Sequence, residues 1–299
     1  VVSPYDPTSK VYKRGDGMYR CYNTGKNFNV KVGTIFENSK VPLTKWFLAI
    51  YLITSRKKGI SSIQLAKDVD VTQKTAWYLL HKIRGAFVYN GEKFDGEVEL
   101  DETFVGGKNK NRHGDGKIKN ARGRSHLDKE PVMGLLQRDP NGDGGMRVIC
   151  FQVENTSWKP LTRNIITHVK RDVTLYMDDW KGYRVVRKVY KHSVVDHGHG
   201  IYAVGGAYTN TIEAFWSNYC KRAIDGTYNY ISKHQMQRYF DEFAFRYNTR
   251  KVLDNERFDL FFDNIKHPMT YNQIKRGNGK KRKRTLKQIA ASQRAKKAS

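Results

Sequence analysis

The sequence predicts an α/β protein, a mixed sheet flanked by helices, preceded by a small all-α domain and a short ribbon-like segment. Three observations carry that expectation. Apolar residues recur at helical spacing from Pro42 to Phe87. After Gly91 the period shortens to that of strands, beginning with Glu97-Val98-Glu99-Leu100-Asp101-Glu102-Thr103-Phe104-Val105. Strands then alternate with helical stripes at Leu161–Val169, Asn210–Ala223 and Ser232–Arg250, the interleaving that builds a sheet covered by helices.

Composition narrows the class of function. With 38% hydrophobic and 12% aromatic residues among 299, the chain can bury a core, which excludes a wholly disordered protein. Lys and Arg outnumber acids 55 to 29, a net charge of +26 that points to a polyanion, most often nucleic acid. Charge alone also fits a ribosome-like or membrane-surface partner. Cys21, Cys150 and Cys220 make neither a disulfide framework nor a complete zinc motif, and suit a reducing cytosol. The apolar run Trp46–Ile53 is too short to span a bilayer, and the start, Val1-Val2-Ser3-Pro4, has no signal-peptide core and no Met. A fragment or processed product, cytoplasmic and without a membrane partner, is therefore expected.

Residues 1–40 read as a ribbon of short strands. In 41–90 a first helix follows Pro42, with Leu43, Trp46, Phe47, Ile50, Tyr51 and Thr54 as its stripe and Arg56-Lys57-Lys58-Gly59 as its stop. Two further helices, Ser62–Lys67 and Thr72–Phe87, flank Asp68-Val69-Asp70-Val71. Thr72 is the expected N-cap, Ala76, Leu79, Leu80, Ile83 and Phe87 face inward, and Gln73, Lys74, Lys82 and Arg84 lie off the stripe. The pattern fits a DNA-binding helix-turn-helix and equally a plain αα-hairpin; the basic composition and the amides of Gln73 and Asn90 favour DNA.

Residues 93–252 form the expected α/β domain. Its first strand runs into a polar loop, 106–129, with eight Lys/Arg, among them Lys108. Strands at Val132–Gln137 and Arg147–Val153 are joined by the turn residues 139–145, and Val173–Met177 runs into Asp178-Asp179-Trp180. A short strand, Ser193–Asp196, precedes His197. The remainder, 253–299, reads as a basic tail: from Lys275 it carries eleven Lys/Arg and no acid, including Lys280, Lys281 and Arg282. Its composition suits a nucleic-acid-binding arm or a solubility tail.

Alternation sets Val98, Leu100 and Phe104 on one face of the first strand and Glu97, Glu99 and Asp101 on the other, with Glu102 opposite Asp101. A solvated face is the ordinary reading of such a row, and it is kept for Glu97 and Glu99. Asp101 stands apart because Asp178 follows 77 residues later at a strand end, and Glu213 a further 35 on, in the first turn of a helix. Three carboxylates converging on one sheet make a hard-oxygen site for two Mg²⁺ or Mn²⁺ ions, suited to in-line phosphoryl transfer. This order and spacing are those of an RNase H-like domain.

The stretches 41–51, 59–67, 71–77, 100–108, 177–183, 208–217 and 241–250 together resemble DDE-type insertion-sequence transposases of bacteria, of the Merlin-related group. The resemblance implies a transposase that binds terminal inverted repeats as double-stranded DNA, works as a dimer or higher assembly, and is nucleoid-associated. It implies Asp101 and Asp178 as catalytic aspartates and Glu213 as the third acid, with Asn210 and His197 as accessory candidates. Three departures stand out. Ser3, Asp6, Cys21 and Thr24 occupy the places of a four-cysteine zinc ribbon, so no structural zinc is expected. Tyr208 stands where relatives have His. Relatives also place Lys seven residues after the third acid; here that residue is Cys220, and Lys221 follows at eight, a turn of about 100° on an α-helix. Phosphate contact through Lys221 or Arg222 is weakened by that turn. The alternatives left open are a catalytically inactive, transposase-derived DNA-binding protein and an RNase H-like nuclease without strand transfer.

Overall fold

In the computed structural model the described residues are 1–88, 91–106, 129–140, 145–195, 209–266 and 269–276. Asn90, Lys108, His197, Tyr208, Lys280, Lys281 and Arg282 lie outside them.

The N-terminal segment is a three-stranded antiparallel ribbon, β1 (Val11–Lys13), β2 (Tyr19–Cys21) and β3 (Asn27–Phe28). The hydroxyls of Ser3, Ser9 and Thr24 gather on the Cys21 thiol. Burial raises its pKa, but these hydrogen bonds outweigh burial and bring it down to about 6. Ser3 and Thr24, two of the residues at the ribbon's ligand positions, thus meet Cys21 through hydroxyls.

Three helices follow: α1 (Leu43–Ser55), α2 (Ser62–Asp68) and α3 (Gln73–Arg84). Ser61 and Thr72 cap α2 and α3, each side chain accepting an N–H from the first turn. The buried stripe of α1 is Trp46, Ala49, Ile50, Ile53 and Thr54, one step round from the expected one. Phe47 and Tyr51 remain 40% and 46% exposed, although Phe262 and Phe258 meet them edge-on. Those two phenylalanines belong to a segment expected to be tail. Instead, α7 (Asp254–Phe261) packs against α1, Phe261 enters the core of the helical region, and α8 (Tyr271–Arg276) buries Ile274.

A five-stranded mixed sheet forms the second body, in the order β6 (Gly145–Gln152), β5 (Glu130–Arg138), β4 (Glu97–Val105), β7 (Thr174–Asp178), β8 (Lys191–Val195). The strands β4, β5 and β6 are antiparallel neighbours, whereas β7 and β8 run parallel to β4. One face packs on α4 (Trp158–His168), Tyr183 and Val186. The other is covered by α5 (Asn210–Phe215), its π-helical continuation Trp216–Lys221, and α6 (Met236–Asn248).

The two bodies meet through a buried ionic knot. Glu242 of α6 takes a hydrogen bond from Arg84 Nε at 2.6 Å and another from the Tyr228 hydroxyl at 2.5 Å, and pairs with Arg246. Arg246 in turn donates to the carbonyls of Ile53 and Arg56 at the end of α1. A charge-paired knot of this kind fixes where the helices sit relative to the sheet.

Candidate active site

Register places the first two carboxylates side by side. Glu97, Val98 and Glu99 of β4 pair in parallel with Thr174, Leu175 and Tyr176 of β7. Asp101 and Asp178 stand two residues beyond the last of these pairs, each on its own strand. Both are half-buried, and they line one cavity of about 580 Å³ together with Glu213, Glu102, Lys129, Thr209 and Trp216. Asn210 does not line that cavity; Glu213, one turn along the same helix, does.

Each acid is held by its neighbours. Trp216 Nε1 donates to Asp101 Oδ2 at 3.0 Å. The Asp179 amide donates to Asp178 Oδ1 at 2.6 Å, and Thr209 Oγ1 to Glu213 Oε1 at 3.3 Å. Glu102 points away from Asp101 and accepts a hydrogen bond from the Tyr183 hydroxyl. Burial pushes the Tyr183 phenol well above its ordinary pKa, and the charges of Glu102, Asp101 and Asp178 push it the same way.

The indole reaches Asp101 because Gly134 lies opposite that residue on β5. A Cβ at Gly134 would stand 2.5 Å from Trp216 Cζ2 and 2.9 Å from Ile212 Cδ1. Gly134, the Trp216 N–H and Glu99 shape this cavity, though none was among the expected site residues. A glycine inside a strand and a core tryptophan whose N–H needs an acceptor were the available signals.

Glu99 corrects the solvated reading. Its face was read rightly, but it is fully buried: Oε1 accepts from Arg138 Nε at 2.9 Å and Oε2 from the Ile212 amide at 2.9 Å. Helices α5 and α6 cover that side of the sheet, so a carboxylate there needs partners. Glu97, exposed, still engages Arg138 and the Tyr176 hydroxyl.

The DNA-binding candidates divide. Gln73, Lys74, Lys221 and Arg222 are exposed. Lys82 and Arg84 are each only 1% exposed and make no outward contact, which corrects their assignment. Lys82 lies between the Trp46 and Tyr78 rings and donates to the Glu37 carbonyl, and burial lowers its pKa to about 8. Arg84 is bound to Glu242 over the Tyr239 ring. Both faces of α3 are covered, by α1 on one side and α6 on the other, so lying off one stripe did not mean facing water.

The π-helical turn also revises the Lys221 departure. Between Glu213 and Lys221 the helix passes through Trp216–Lys221 in π geometry. A π turn takes about one residue more than an α turn, so the eighth residue after Glu213 arrives about where the seventh would on an unbroken α-helix. Cys220 is turned into the core at 3% exposure and Lys221 faces solvent.

Carboxylate oxygens with no soft ligand suit Mg²⁺ or Mn²⁺ by donor chemistry, and the three acids share a cavity. Among the described residues no three His, Cys, Asp or Glu side chains stand close enough to clasp one ion as they are placed. The fit therefore lies in ligand type and shared position, and closure of the carboxylates is left to binding.

A mixed sheet with paired strand carboxylates, covered by a helix bringing a third, is the setting in which comparison with known proteins becomes informative. Residues 93–248 match the ISXO2-like transposase domain, and the chain belongs to that family. It is 29% identical over 245 residues to an uncharacterized protein in transposable element ISH50 of Halobacterium salinarum, with 79% of each chain covered. Among solved structures it is similar to a chain of the simian T-cell lymphotropic virus intasome in complex with PP2A regulatory subunit B56 gamma (9% identity, 60% of this chain and 63% of that one, TM-score 0.29). A second is the Mos1 Strand Transfer Complex (13% identity, 77% of each, TM-score 0.27). Among the described residues no helix is long and apolar enough to cross a membrane.

Proposed function

We propose that this chain is a DDE transposase of the Merlin-related group, with an RNase H-like catalytic domain that cuts the ends of its element and joins the 3′-hydroxyls to target DNA. The observation that carries the proposal is the cavity lined together by Asp101 and Asp178, each two residues past the Glu99–Tyr176 pair of the parallel strands β4 and β7, and by Glu213 of α5. The antiparallel β4–β5–β6 meander with β7 and β8 parallel to its first strand supports the RNase H-like reading.

In this reading Asp101, Asp178 and Glu213 would hold divalent ions, which would supply charge stabilisation and a more acidic water or 3′-hydroxyl for in-line phosphoryl transfer. The chain's own groups do the rest. The Trp216 N–H fixes the rotamer of Asp101, and Thr209 steadies Glu213. Lys129 at the cavity and Lys221 and Arg222 on the helix meet phosphate oxygens, and the exposed start of α3, with Gln73 and Lys74, meets the terminal repeats.

The test is cleavage of a duplex carrying the element's terminal repeat in Mg²⁺ or Mn²⁺, with Asp101→Asn as control. Metal-dependent nicked and joined products from the wild type and none from Asp101→Asn are expected. Equal cleavage by both proteins overturns the site, and nicking without joining favours a nuclease.

A further inference from the structure

Asp101 and Asp178 also line a second cavity. It measures about 570 Å³ and is lined by Asp101, Glu102, Phe104, Asn155, Thr156, Ser157, Asp178 and Trp180. Trp180 follows Asp178 by two residues, beyond the end of β7, and keeps 46% of its surface exposed, unlike the buried Trp46 and Trp216.

An exposed indole on a loop would ordinarily turn freely. This one is pinned. Its Nε1 donates to the Thr156 carbonyl at 2.8 Å, and one edge lies so close to Gly182 that a Cβ there would stand 2.6 Å from Nε1 and 2.7 Å from Cδ1. Hydrogen bond and glycine together fix the ring plane at the cavity wall. Polar groups ring the same space. Asn155 spends its carbonyl oxygen on the Ser157 amide, leaving its NH₂ as a donor, and the Ser157 side chain makes no capping bond to α4.

We propose that Trp180 is a stacking platform for an unpaired nucleobase of the DNA strand whose phosphate lies against Asp101 and Asp178. The proposal rests on the transposase reading. A pre-oriented aromatic face stacks any base, because every base has a π-face, and its rigidity lowers the entropic cost of contact. The base must be unpaired, since a base within a duplex has both faces covered by its neighbours. Because Asp101 and Asp178 line both cavities, a nucleotide with its phosphate at the acids directs its base toward Trp180. The Asn155 amide and the Ser157 hydroxyl then meet the edge of that base.

The experiment uses the full chain in Ca²⁺, an ion that carboxylate oxygens bind, and scores only uncut probe. The probe is a duplex with a short 3′ single-stranded arm carrying 2-aminopurine, together with its counterpart abasic at the same position. Wild type is expected to quench the 2-aminopurine and to bind the abasic arm about 5- to 100-fold more weakly. Trp180→Ala should neither quench nor distinguish the two arms, and Trp180→Phe should retain most of the discrimination. Should Trp180→Ala fail to fold, Trp180→Phe and the wild-type comparison of arms still decide. Quenching by folded Trp180→Ala, an abasic arm bound as tightly as the intact one by wild type, or no binding of either arm overturns the proposal. Cleavage without Trp180-dependent stacking therefore defeats only the platform, and stacking without any metal-dependent cleavage defeats only the transposase reading.

Discussion

Glu99 Oε2 accepts the backbone N–H of Ile212 at 2.9 Å, so a buried carboxylate on β4 ties down the first turn of α5. Asp101 lies two residues beyond Glu99 on the same face of the strand, and Glu213 follows Ile212. The other Glu99 oxygen is fixed by Arg138, whose guanidinium stacks 3.6 Å over the Tyr176 ring. The separation of Asp101 and Glu213 is thereby set by a group that touches neither.

Glu99→Gln should lower Mn²⁺ affinity or cleavage by about 10- to 100-fold, the usual effect of losing a group that positions metal ligands. Glu99→Ala leaves Arg138 buried without its inner partner and should cost about 3–5 kcal/mol in urea unfolding. A Gln variant with unchanged Mn²⁺ titration and unchanged cleavage would show that the tether has no bearing on the site.

Gly134→Ala tests the indole contact. The added methyl collides with Trp216 and Ile212, and overpacking of this kind costs about 1–3 kcal/mol. Loss of cleavage greater than the stability loss explains is expected, because Trp216 must withdraw from Asp101. Trp216→Phe, which keeps an aromatic ring but loses the N–H, should lose more cleavage than its own stability loss explains.

The knot between helices and sheet predicts an acid-sensitive fold. Burial raises the Glu242 pKa, but the Arg246 and Arg84 guanidiniums outweigh it and hold the group below its ordinary 4.5. A depressed carboxylate contributes stability that is present above its unfolded pKa and is lost as pH falls through the folded one. Wild type should therefore weaken below about pH 4.5 more steeply than Glu242→Gln, measured by urea midpoints across pH. At neutral pH the variant should be less stable by about 3–5 kcal/mol.

Salt dependence separates the true surface cations from the buried ones. Lys221→Ala should reduce the log–log salt slope of DNA binding by about 1, as expected for one phosphate contact. Lys82→Met should leave that slope unchanged while altering stability. A slope change in Lys82→Met, or none in Lys221→Ala, would reverse the assignments.

Much of the fold was legible because local patterns dictate it. Alternation marked β4 and its two faces, the stripe Met236, Tyr239, Phe240, Phe243 and Tyr247 marked α6, and Thr72 marked the start of α3. Each is a property of neighbours in sequence. Legibility ended where burial depends on distant segments. Lys82 and Arg84 looked solvent-facing because only one stripe of α3 is apolar, yet α6 lies more than 150 residues away and supplies the carboxylate that makes Arg84 an interior residue. Phe47 and Tyr51 looked buried, yet they stay partly open, met edge-on only by Phe262 and Phe258 of the expected tail.

The candidate site divides in the same way. Local motif and period singled out the acids to consider, since Asp101 and Asp178 sit on strands and Glu213 beside an apolar stripe. That Glu99 is an interior tether, that Gly134 admits the indole to Asp101, and that a π turn carries Lys221 back toward the face of Glu213 emerges in three dimensions alone. The physical reason is that charge burial, close packing and helical phase are sums over contacts from segments far apart in the chain, and a sequence pattern records only its own segment's share.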